Sequence, residues 1–372
     1  MEKCSVFSSS LFLLVVITLA FHSADATKRP LLFIFGDSTL DVGTNNYLPG
    51  DNPALHYPYG MDYPPALKPT GRFSNGYVLS DQIARRMGYD ESPPPYLALV
   101  NSSSSFMNGV NFASGGTGIL DSTGWNVTIK QFEIVRENIT AELGSEEETT
   151  RLLSQALFIV SDGGNDFAQY IVNLSKPIEW PTDFLEGLAS TYQMHLQNLY
   201  NLGARKFGIV SIPPVGSTPV LRSKFGWLGG IIVNFNAQEF FKKTKTLLKD
   251  LSSKLDGMNY SIGNSYVIIN EVIDHPSKYN FTEVKKACWD EDNGTVCPDR
   301  DQCVFFDGFH PTQKLAELAA EALVHGGKNY IEPINFSELV SMGIEYPTQK
   351  VAADVGAFSQ YSGSKTKYVN TH

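Results

Sequence analysis

Past position 26 the sequence has no apolar run approaching the roughly twenty residues that a bilayer-spanning helix requires. It also has no lysine- or arginine-rich cluster, and its net charge is −10. Phosphate backbones are held by a basic face, so nucleic acid is excluded as a partner. Cysteine is scarce, at four in 372 residues, and no C-x-x-C pair occurs. Structural zinc sites usually rest on that spacing. Cys4 lies in the leader described next, which leaves Cys288, Cys297 and Cys303. Zinc on these three would need a fourth ligand, and His310 is the nearest candidate. A local disulfide bracing a loop, with one thiol left over, is the simpler reading.

What is present begins with a leader. Met1 to Lys3 are polar, Leu11 to Phe21 are almost wholly apolar, and Ala24-Asp25-Ala26 offers a small-x-small cleavage pattern. A short apolar run closed in this way reads as a signal peptide, with the mature chain starting near Thr27. The expected product is soluble and extracellular or luminal. Eight N-x-S/T sequons fit that route: Asn101, Asn126, Asn138, Asn173, Asn259, Asn280, Asn293 and Asn335. Each is a candidate glycosylation site where it reaches the surface.

The remaining residues, about 345, are within reach of one large α/β unit. Hydrophobic residues make up 42% and charged ones 18%, ample for a packed core. Apolar strand-like runs alternate with amphipathic stretches, the pattern of a parallel sheet with helical crossovers. Strands are expected at Leu31–Phe35, Met107–Ala113, Ala156–Val160, Phe207–Ile212 and Tyr266–Ile269. Helices are expected at Asn75–Met87, Thr182–Leu202 (closed by Gly203) and Ile232–Leu255. The long irregular stretches Thr44–Pro69 and Cys288–Cys303 suggest lids or walls. No internal repeat or linker divides the chain, so residues 27–372 read as one domain with a polar tail from about position 347.

Four motifs carry chemistry. Phe35-Gly36-Asp37-Ser38 follows the first strand, where a serine among glycines can approach a substrate closely. No G-x-S-x-G elbow is present, so an ordinary α/β-hydrolase is not indicated. Near the other end, Asp307-Gly308-Phe309-His310-Pro311-Thr312 sets a carboxylate and an imidazole three residues apart. A hydroxyl becomes a useful nucleophile only when a base takes its proton, and the base needs a third group to fix its tautomer. His195, inside an amphipathic stretch, reads as structural or exposed. Acyl transfer also needs donors for an oxyanion. Ala113-Ser114-Gly115-Gly116 offers backbone N–H groups, and Gly163-Gly164-Asn165-Asp166 offers a side-chain amide.

These blocks resemble those of the GDSL esterase/lipase family, or SGNH hydrolases, and in particular its large plant branch. The resembling features are G-D-S-x-x-D-x-G, N-F-A-S-G-G-T-G, G-G-N-D and D-G-F-H-P-T, with Gly71-Arg72-Phe73-Ser74-Asn75-Gly76 and Ile212-Pro213-Pro214-Val215-Gly216. They run in family order from about Pro30 to Ile331. The resemblance implies a three-layer α/β/α sandwich with a five-stranded parallel sheet, flavodoxin-like in strand order. It implies Ser38 as nucleophile, His310 as general base and Asp307 as its orienting partner. The oxyanion donors it implies are the Ser38 N–H, a backbone N–H of Gly115 or its neighbour Gly116, and the Asn165 amide. The implied reaction is hydrolysis of a small-molecule or polymeric carboxylic ester through an acyl-enzyme, with no metal or organic cofactor. The chain departs from the family at Ser217 and Trp289, where cysteine is common, which leaves the disulfide pairing open.

Two other readings use the same residues. An acyltransferase would hand the acyl group to an alcohol, and an inert secreted binding glycoprotein would keep the fold without turnover. A glycosidase would need a carboxylate pair, and no spacing singles one out.

Overall fold

The computed structural model describes residues 29–343, except Ala66, Asn101, Ser103 and the segment 174–181. The leader, the polar tail and Asn101 lie outside the described residues, as does the side chain of Asn173.

The strands of the central sheet are β1 (Leu32–Gly36), β2 (Val110–Asn111), β3 (Leu157–Ser161), β4 (Lys206–Val210) and β5 (Asn259–Gly263). They lie in the order β2-β1-β3-β4-β5, all parallel. That is the flavodoxin-like order, whose direction of winding reverses between β1 and β3. Further along the chain come four short strands outside this sheet. Of these, β6 (Glu283–Ala287) pairs with β9 (Cys303–Phe305), and β7 (Trp289–Asp290) with β8 (Thr295–Val296). A sixth strand of the central sheet, β10 (Ile331–Glu332), then covers the edge of β5 antiparallel.

The central strands β1 and β3 are almost wholly apolar because both faces are covered. In β1, Phe33 and Phe35 point into one core with Phe158, Val160, Phe207 and Ile209. That face is closed by α2 (Ser122–Leu143), α3 (Glu146–Gln155), α4 (Gly164–Asn173), α5 (Thr182–Asn201) and α6 (Pro219–Lys254), through residues such as Phe132, Leu153, Phe167, Leu196 and Phe240. Leu32 and Ile34 point the other way, into a core shared with Leu157 and Ile159. Here α1 (Leu79–Arg86), α7 (Ser265–Asp274), α8 (Gln313–Val324) and α9 (Phe336–Ser341) supply Ile83, Ile268, Leu323 and Phe336. The period-two alternation of a strand sorts its side chains between the layers.

One expected element is corrected. Tyr266–Ile269 is not the fifth strand but part of helix α7. Asn264 caps that helix by accepting from the Val267 N–H at 3.1 Å, and Ile268 and Val272, one turn apart, bury the same face. The true strand is the less apolar Asn259–Gly263, whose first two residues are only half-buried. Helix α6 consists of two helical segments that meet at a kink at Gly226, and the segment carrying the expected Ile232–Leu255 helix begins just after that kink. Strand β2 is two residues long within the seven expected.

Candidate active site

Ser38 sits directly after β1, at the switch between β1 and β3, where ligands collect in open α/β sheets. Gly36 makes the turn with φ +151°, and a Cβ there would come within 2.1 Å of the Ser161 carbonyl oxygen on β3. Only glycine permits that approach. The Asp37 N–H donates to the same carbonyl at 3.2 Å, and Asp37 Oδ1 accepts from the Thr39 N–H and hydroxyl at 2.9 and 2.7 Å. This Asx-type turn fixes the chain on either side of the serine.

The structure brings the other end of the sequence to this point. His310 Nε2 lies 2.8 Å from Ser38 Oγ, and His310 Nδ1 lies 2.7 Å from Asp307 Oδ2. Asp307 Oδ1 meanwhile accepts from the backbone N–H groups of Phe309 and His310, at 2.8 and 2.6 Å. One carboxylate thus closes the turn and aims the ring that the turn carries. Burial alone would raise the Asp307 pKa, but the charge of His310 and these hydrogen bonds outweigh it and hold the carboxyl below the ordinary range. For His310, burial works to lower the pKa, yet the Asp307 carboxylate, with Asp37 and Glu291 beyond it, carries it above the usual imidazole value.

Two residues here were not singled out from the sequence. The buried Tyr59 hydroxyl donates to Asp307 Oδ2 at 2.8 Å, and the Phe73 ring lies 5.0 Å from the His310 ring. Both come from segments the sequence reading marked, the long loop after Thr44 and the Gly71–Gly76 block. Their contacts span more than two hundred residues, so no local spacing reports them. Among the expected walls, Arg300 binds Asp62 through two hydrogen bonds of 2.7 and 2.9 Å and ties the two long loops together.

The expected oxyanion donors divide. The Gly115 N–H does not face an empty site, since it donates to Asp41 Oδ2 at 2.9 Å. Asp41 also accepts from the Gly43 and Thr44 N–H groups, and burial pushes its pKa up to about 6. Neither the Ser38 N–H nor the Gly116 N–H has a partner among the described residues. The Asn165 amide donates to the Thr117 carbonyl at 2.7 Å. Beside it, Asp166 fixes the Ile119 and Leu120 N–H groups, and Asp162 takes the Trp125 indole N–H at 2.8 Å. Burial and the neighbouring carboxylates Asp37 and Asp166 drive the Asp162 pKa well above its usual value. His195 is structural. It is buried, stacked on Trp125 at 4.5 Å, with Nε2 3.0 Å from the Ile119 carbonyl oxygen.

Cys288 and Cys297 form a disulfide, and Cys303 is a free, buried thiol. The three sulfurs lie within 4.8 Å of one another, but two are bonded together and His310 faces Ser38 and Asp307. The fourth ligand weighed for zinc is therefore engaged elsewhere.

A cavity of about 370 Å³ opens beside Ser38 and His310. Ser38, Gly115, Gly116, Asn165 and His310 line its polar end, while Ile212, Pro213, Ile268, Leu315, Ala319 and Leu323 help form an apolar wall. It can take a reacting polar group at one end and hydrocarbon at the other.

The sequence from residue 32 to residue 323 matches the family described as GDSL-like Lipase/Acylhydrolase. One GDSL esterase/lipase of Arabidopsis thaliana is 35% identical over 344 residues, covering 85% of this chain and 92% of the relative. Another from the same plant is 32% identical over 362 residues, covering 91% and 97%.

Proposed function

We propose that this chain, which belongs to the GDSL-like lipase/acylhydrolase family and is a carboxylic ester hydrolase, works through an acyl-enzyme formed on Ser38. The observation that carries this reading is the unbroken relay Ser38 Oγ, His310 Nε2, His310 Nδ1 and Asp307 Oδ2, with links of 2.8 and 2.7 Å, whose Ser38 and His310 line the cavity.

Neutral His310 keeps its proton on Nδ1, held by Asp307, and presents the Nε2 lone pair to the Ser38 hydroxyl. As Ser38 Oγ bonds to the ester carbonyl carbon, its proton passes to Nε2. The tetrahedral intermediate collapses, the bond to the alcohol oxygen breaks, and His310 returns the proton to the leaving alcohol. Water repeats the sequence and releases the acid. Asp307 stays ionised and stabilises the imidazolium between the two transfers.

We assign the oxyanion to the Ser38 and Gly116 N–H groups, because Asp41 occupies that of Gly115. The Asn165 amide can join them by turning from the Thr117 carbonyl. The apolar wall favours esters with a hydrocarbon acyl group. We further propose that residues 1–26 direct secretion and that the exposed sequons Asn126, Asn138, Asn280 and Asn293 carry glycans. Asn259 and Asn335 are half-buried.

The test is hydrolysis of a soluble p-nitrophenyl ester by Ser38→Ala, which should lose on the order of 10⁴ in turnover. A serine-directed phosphonate should inactivate the wild type and leave its adduct on Ser38. Near-normal turnover by Ser38→Ala would overturn the assignment.

A further inference from the structure

Helix α6 carries an apolar ridge that the reaction does not use. Trp227 is 75% exposed, more than any other large apolar side chain among the described residues. Leu228, Ile231 and Phe235 follow at 63%, 45% and 58%. Their spacing puts all four on one side of the helix. The opposite side is well anchored, so the ridge is not a face that failed to find its core. Gly229, Gly230, Val233, Asn234 and Ala237 are buried there. The Asn234 side chain accepts from the Gly216 N–H at 2.8 Å and donates to Ser217 Oγ at 2.9 Å.

The ridge adjoins the cavity rim. Its helix breaks at Gly226 (φ 65°, ψ −175°), and on the near side of that break Thr218 and Leu221 line the cavity. The Val220 N–H donates to the Gly308 carbonyl at 3.1 Å, next to Phe309, which lines the cavity and is itself exposed. The local charge is also distinctive. From Thr218 to Gln238 there is no acidic residue, while Arg222 and Lys224 are present, in a chain of net charge −10.

We propose that this ridge docks the protein on a lipid–water surface containing anionic lipid, with Trp227 and Leu228 entering the interface and Arg222 and Lys224 facing the headgroups. The inference deepens the ester-hydrolase reading, since it names a substrate presented at a surface beside the cavity that would receive its acyl chain. An exposed apolar patch of this kind needs an apolar partner. A tryptophan beside cations suits an interface where hydrocarbon meets anionic headgroups better than it suits a uniformly apolar protein face.

The test is co-sedimentation of the full-length secreted protein with phosphatidylcholine vesicles, with and without phosphatidylglycerol. The wild type should bind, more tightly with phosphatidylglycerol and less so as salt rises. The pair Trp227→Ser and Leu228→Ser should weaken binding roughly tenfold or more, as expected for losing two inserted apolar anchors. Hydrolysis of a soluble short-chain ester should be unchanged in that variant. The pair Arg222→Ser and Lys224→Ser should remove only the part of the binding that phosphatidylglycerol adds. A wild type that ignores both kinds of vesicle would overturn the proposal, as would a Trp227/Leu228 variant that binds as well as the wild type. A wild-type dimer that this variant converts to monomer would assign the ridge to a second copy instead. If the ester-hydrolase reading were at fault, the soluble-ester assay would fail while vesicle binding persisted.

Discussion

Tyr59 and His310 share one oxygen of Asp307: the phenol donates to Oδ2 at 2.8 Å and the imidazole Nδ1 lies 2.7 Å from it. The phenol therefore draws charge from the oxygen that stabilises protonated His310. Removing it in Tyr59→Phe leaves the carboxylate more basic and raises the His310 pKa further. The acid limb of the pH–rate profile should therefore move to higher pH in Tyr59→Phe. A merely structural tyrosine would lower the amount of folded protein and leave the profile in place.

The wild-type profile has a definite sign. His310 must be neutral to accept the Ser38 proton, and its pKa is raised mainly by Asp307 against the opposing effect of burial. Activity should therefore be low in acid and rise through a midpoint above the unperturbed imidazole value of about 6.5, then level off. Measuring kcat/KM across pH with a short-chain ester gives that midpoint. A midpoint well below 6 would be inconsistent with the Asp307–His310 pair as the titrating unit.

Asn165→Ala separates transition-state from ground-state binding. If the amide meets the oxyanion, kcat should drop by roughly 10²–10³ with little change in KM. Should KM rise while kcat holds, the amide contacts the resting substrate or only braces the Thr117 turn.

Arg72 and Asp81 form a buried two-pronged ion pair, with N–O distances of 2.8 and 2.9 Å. The Asp81 carboxylate also takes the Val78 and Ser92 N–H groups, which pins α1 and the chain beyond it. Arg72→Met should cost on the order of 3–5 kcal/mol, because it strands a buried charge. Adding Asp81→Asn should recover part of that loss. Urea unfolding midpoints measure both effects, and a loss below about 0.5 kcal/mol for the single variant would place this pair among mere surface contacts.

The sequence disclosed those features whose causes are local. Strand β1 stands out because both its faces are buried and every position is apolar. The pairing of Asp307 with His310 is legible because three residues on one turn suffice to bring them together. Strand β5 escaped notice because it is half-buried at its start, next to a more apolar helix that mimics a strand. Tyr59 was invisible for a different reason: its partner lies 248 residues away, and nothing in its own neighbourhood signals the contact. The same holds for the hydrogen bond from Gly115 to Asp41, which spans 74 residues and decides which glycine keeps a free donor.

The cavity draws its two ends from different parts of the chain. The polar end is made by turns that follow β1, β2, β3 and β9, and the apolar wall by α7, α8 and the segment after β4. Three residues of that wall serve twice: Ile268 and Leu323 also pack beneath the central sheet, and Leu315 binds the Thr312 cap two residues after His310. Whatever reshapes the acyl pocket therefore also loads the fold, so changes of substrate taste on this scaffold come coupled to stability.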